Sequence, residues 1–113
     1  MATVDQIYKA LMTAAPAAFG TAWKDAQGFV PAELHKLAVQ LESIADNVAK
    51  FELDPSQGYP PATGKVLLKM QKRATENVLI AVTALTLIAL EDTINAVLKA
   101  AKGVLSGAVA ALL

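Results

Sequence analysis

From Val78 to Leu113 the chain carries four charges in 36 residues, Glu91, Asp92, Lys99 and Lys102. No other stretch limits the fold so severely. Val78 to Leu90 reads VLIAVTALTLIAL, with no charge, glycine or proline, and Gly103 to Leu113 reads GVLSGAVAALL, again uncharged. Coiled into a helix, either run is apolar on every face. Such a helix has to be covered all round by its own chain, by copies of itself or by lipid.

At 113 residues the chain suits one domain, 1–113. Its apolar excess lies in Ala, Leu and Val, with only 5% aromatics, the make-up of packed helices. The fold class expected is an all-α helical bundle. Ten basic and ten acidic residues leave no net charge to draw in nucleic acid or an anionic surface. The balance conceals a division: up to Ala62 there are seven acids against four lysines, and beyond it six bases against three acids. Packing of the two halves on each other is the simplest reading. The absence of cysteine excludes disulfides, thiol nucleophiles and thiolate metal sites. MATVDQIYKALM lacks the basic start and apolar core of a secretory signal, so cytoplasmic synthesis without a cleaved leader is expected. An assembled particle or a membrane surface both remain open as the final location.

Thr3 with Gln6 makes a capping-box pattern, and apolar residues then recur from Val4 to Ala26 with a 3.6-residue period. A helix over about 3–27, kinked near Pro16, is expected. Pro31 and Glu33 open a second, over 31–53, whose seam is Leu34, Leu37, Leu41, Ile44, Val48 and Phe51. DPSQGYPPA, residues 54–62, is a loop, and Thr63 is placed to cap the third helix. With the second and third helices folded as a hairpin about Gly58, Glu42, Asp46 and Glu52 come near Lys65, Lys69 and Arg73.

No glycine or proline interrupts Lys65 to Lys102. Local propensity therefore favours one long C-terminal helix over about 63–112, a rod of about 60 to 75 Å beside partners of about 33 to 38 Å. Half of it would stand bare in water. The rod can break near residues 91–93, with Asp92 as a cap, and fold back; it can pack on copies of itself; or its overhang can enter a membrane. Val78 to Leu90 alone is 13 residues, short of the roughly 20 that span a bilayer. A membrane role would need several subunits.

Gly103, Gly107 and Ala111 form a ladder of small residues that permits close helix approach. The expected oligomer or membrane interface is Val78, Val82, Leu85, Ile88, Ile94, Val97, Gly103, Val104, Gly107, Ala111 and Leu112. Glu91 and Asp92 point about 100° apart on a helix and mark a boundary rather than a cation site. His35 has no second imidazole or thiol to share a metal, and reads as a surface residue. No nucleophile and base pair and no glycine-rich phosphate loop is present. The expectation is a non-enzymatic, self-assembling structural protein with a homo-oligomeric core, and no cofactor, metal, nucleic acid or small-molecule substrate. Two alternatives stand beside it: a membrane-active pore or lysis factor inserting residues 78–113, and a monomeric four-helix binding or adaptor module.

Overall fold

A computed structural model describes residues 2–105 and 107–113. Thr3 opens the first helix, α1 (Val4–Phe19), with the capping box its sequence announces: Gln6 N–H donates to Thr3 Oγ1 at 3.2 Å and Thr3 N–H to Gln6 Oε1 at 3.0 Å. Ile7, Leu11, Ala15 and Phe19 make its buried face. Pro16 lies inside the helix on an exposed position, and the interruption in the expected 3–27 helix comes at Gly20, with φ 57° and ψ −127°, where α1 ends. Losing one donor at Pro16 does not stop a helix whose apolar face stays packed, whereas the Gly20 conformation cannot be continued as helix. A 3-10 turn over Gly20–Ala22 and a single turn, α2 (Trp23–Ala26), lead to the next long element.

In α3 (Val30–Leu53) Pro31 occupies the first turn, and Leu34, Leu37, Leu41, Ile44 and Val48 are all buried, as their spacing predicts. The loop after it turns on Asp54, whose Oδ1 accepts from Ser56 N–H at 3.0 Å and Ser56 Oγ at 2.8 Å. Those two donors hold its carboxyl below the usual range. Gly58, at φ 62°, lies against the Asn47 carbonyl, where a Cβ would collide. Tyr59 N–H then donates to that same carbonyl at 3.3 Å. Pro60 and Pro61 start α4 (Pro61–Val82), two residues ahead of the Thr63 start read from the sequence.

The expected rod does not form. The chain leaves helix at Thr83, which is extended (φ −119°, ψ 165°), and re-enters it after Thr86 (φ −73°, ψ 163°) as α5 (Leu87–Lys99). Thr86 Oγ1 accepts from Ala89 N–H at 3.2 Å, a helix N-cap made from one side chain. The break thus precedes residues 91–93, which lie inside α5 with Asp92 exposed. A 3-10 turn over Ala100–Gly103 ends α5, and a last turn, α6 (Gly107–Ala110), comes after it. Gly103 and Gly107 therefore belong to different elements, and the small-residue ladder is not one helix face.

Each long helix packs on its neighbour in sequence, and α5 closes the ring on α1. The result is an all-α four-helix bundle about 45 Å long, shorter than the rod it replaces. Leu90, Ile94, Val97, Leu98 and Ala101 join the core with Leu68 and Leu79 of α4. The chain end returns to the α3–α4 seam. There α6 lies against α3, and Leu112 approaches Gly64, where a Cβ would stand 2.8 Å from Ile44 Cγ2.

Candidate functional site

Of the residues expected at an oligomer or membrane interface, Ile94 and Val97 face inward and are completely buried in the chain's own core. Val82, Leu85 and Leu112 are partly buried against that core, and Val78 is half-buried. Ile88, Val104, Gly103, Gly107 and Ala111 are exposed. The apolar surface left to water is therefore different from the one the sequence suggests. Large apolar side chains are exposed at several places, Leu53 at the end of α3 most of all (90%), and α4 carries an uncharged row in which Val66, Met70, Ala74, Asn77 and Ala81 succeed one another at spacings of three and four and are all exposed. Val66 is 58% and Met70 64% exposed, and this row carries no charge. Ile80 (42%) and, at the start of α5, Ile88 (72%) add large apolar side chains near the same end of the hairpin.

The charged residues of the α3–α4 hairpin are used differently from the expected pairing. Asp46 pairs with Lys50 on its own helix, at 2.9 Å. Glu42 Oε2 accepts from Val4 N–H at 2.8 Å, placing a carboxylate on the first turn of α1, where the helix dipole favours it. Arg73 turns to Glu76 (3.5 Å) and to Glu91 of α5 (3.7 Å). Among the described residues no salt bridge joins Glu42, Asp46 or Glu52 to Lys65, Lys69 or Arg73. The geometric reason is the fold-back: with α5 beside α4, the basic row lines an α4–α5 cleft instead.

That cleft is the polar feature the sequence did not disclose. Lys69, Lys72, Arg73, Glu76, Glu91 and Asn95 surround about 270 Å³ of space. Glu76 is only 2% exposed, and its carboxyl is pushed above the usual glutamate range, first by burial and then by the charge of Glu91, with Arg73 and Lys72 pulling the other way. The available signal was the Arg73–Glu76 spacing of three. Glu91 reads as a boundary in the sequence but lies inside α5, and its partner across the turn depends on where the chain folds back. The cleft is lined by no Ser, Thr, Cys or His side chain, and among the described residues no group of three His, Cys, Asp or Glu side chains is placed to hold a metal. His35 is exposed, as expected, and stacks edge-on with Tyr8 at 5.7 Å.

A third feature is a trough of about 1160 Å³ along α1. Ala10 and Ala14 of α1, Ala45 and Ala49 of α3, and Ala100 and Gly103 beyond α5 line it. Side chains this short leave a furrow where three elements meet. Gln6, Lys9 and Thr13 edge it. Among the described residues no helix is long and apolar enough to cross a membrane. Searches of known protein families, curated proteins and solved structures find no match to this chain.

Proposed function

We propose that the chain is a non-enzymatic structural subunit, a closed four-helix bundle that associates with copies of itself. The observation that carries this reading is the uncharged outer row of α4, Val66, Met70, Ala74, Asn77 and Ala81, with Ile80 exposed in the last turn of the same helix and Ile88 exposed across the turn in α5. Large apolar side chains grouped on one exposed helix face mark a contact surface more often than scattered ones do. Zero formal net charge supports the same reading, since copies meet without net repulsion. The row is narrow. A helix face about 33 Å long and roughly 10 Å wide falls short of the roughly 800 Å² per partner of a stable interface. Taken alone it makes a weak contact that an assembly repeats or supplements.

Sedimentation over a wide concentration range tests the reading, with Met70→Glu as control. The wild type is expected to shift toward dimer or larger species as concentration rises, and Met70→Glu, at an exposed position, to shift less without loss of helix content. A wild type that remains monomeric throughout overturns it. The trough along α1 favours a second reading, a module that takes a partner's helix between α1, α3 and the turn after α5. That reading expects the monomer.

A further inference from the structure

The turn between α4 and α5 joins two helices without glycine or proline. Thr83 and Thr86 are both extended, and among the described residues positive φ occurs only at Gly20 and Gly58. Threonine hydroxyls hold the turn closed: Thr83 Oγ1 donates to the Leu79 carbonyl at 2.8 Å and accepts from Leu85 N–H at 3.3 Å, and Thr86 Oγ1 caps α5. Every residue from Thr83 to Thr86 carries a backbone N–H, so nothing covalent prevents these four from joining α4 and α5 in one helix. Such a rod, Pro61 to Lys99, would be about 60 Å long.

Straightening strips α5 of its cover. Leu90, Ile94, Val97 and Leu98, at most 1% exposed in the closed bundle, would face water. They need the seat between α1 and α4 that α5 leaves, and a second straightened copy offers the same seat, matched residue for residue. We propose that two copies of this chain exchange the segment 87–113, each straightening residues 83–86 and completing the other's bundle. The proposal rests on the reading that copies associate, and it supplies the buried area that the outer row of α4 lacks. Inside each bundle the contacts are those of the monomer, with Arg73 and Glu91 now paired between chains. The two forms differ at the hinge, where threonine caps give way to continuous helical hydrogen bonds.

Light-scattering mass during gel filtration, over a concentration series, tests the exchange. Thr86→Ala removes the cap of the closed form and improves helix propensity in the open one. A cap loss weakens the closed hinge by about five-fold. Two hinges open per dimer, so the dimer is expected to tighten by about 25-fold. Ala84→Pro acts in the other direction. Proline bars the straight helix, Thr83 already has the extended conformation a residue before proline prefers, and Ala84 N–H donates to no group among the described residues. This variant is expected to stay monomeric, and Ala84→Gly, which only lowers helix propensity, to weaken the dimer. Cross-linking gives an independent reading. Lys72→Cys and Asn95→Cys chains, whose altered positions line the same α4–α5 cleft, are refolded together with oxidised glutathione as the oxidant, and exchange yields a disulfide between the two kinds of chain wherever one chain carrying both cysteines closes the same bond within the monomer. Three outcomes overturn the exchange: no tightening in Thr86→Ala, no mixed disulfide, or a dimer that survives Ala84→Pro but is lost in Met70→Glu. The last leaves self-association standing, whereas monomers throughout overturn both.

Discussion

Burial of Glu76 between α4 and α5 creates an electrostatic problem that Arg73 answers only in part. Desolvation and the Glu91 charge raise its pKa above the ordinary value of 4.5. The folded chain therefore holds this proton more tightly than the unfolded chain does. Its contribution to stability is complete below the ordinary value and drains away as pH rises through the raised folded one. Glu76→Gln is accordingly expected to be more stable than wild type at neutral pH, and to flatten the fall of the urea midpoint as pH rises above the ordinary glutamate value. A variant less stable than wild type at neutral pH would mean that the Arg73 contact outweighs the burial. Residue identity alone leads no further than a row of Lys65, Lys69, Lys72 and Arg73 beside Glu76. Which carboxylate Arg73 reaches depends on the position of α5.

At the scale of elements, the local code is strong wherever a backbone group has a single good partner. The capping box of Thr3 and Gln6, the Pro31 start of α3 and the seam from Leu34 to Val48 all arise from spacing and side-chain chemistry. Gly58 belongs with them. Its positive φ and its closeness to the Asn47 carbonyl leave no room for a methyl group, so Gly58→Ala is expected to lower stability by more than about 1 kcal/mol in chemical denaturation. The same code is weak at residues 83–86, where TALT holds no breaker and the helix stops because two threonine hydroxyls satisfy the ends. Asp92, the more obvious cap by residue type, is passed over. A break at 91–93 would shorten α5 and turn Leu90 and Ile94 out of a continuous face, whereas a break at 83–86 keeps both on the face that meets α1 and α4.

For the whole molecule, the closed ring decides what the apolar C-terminal region does. Leu90, Ile94, Val97, Leu98 and Ala101 are core residues of the single chain. Ile94→Ala is therefore expected to cost about 2 to 5 kcal/mol in urea unfolding, a large share of the roughly 5 to 15 kcal/mol such a domain has. In dilute solution that loss should not depend on protein concentration. An Ile94→Ala chain whose stability falls only when diluted would place the residue at a contact between chains.

The sequence by itself determined that the chain is helical, where three of its four long helices begin or end within a few residues, which faces of α1 and α3 are dry, and that the region after Val78 needs cover. These features stem from periodicity, capping and the cost of exposing hydrocarbon, all of which act within a turn or two of one residue. Only the tertiary structure decided that the cover is α1 and α4, that the chain turns at Thr83–Thr86, that Glu91 meets Glu76 and Arg73, and that the exposed apolar row lies on α4. A helix that is apolar on every side does not specify which side faces inward. That choice falls to the neighbours, and the fold-back at Thr83–Thr86 buries Leu90, Ile94 and Leu98 together against them.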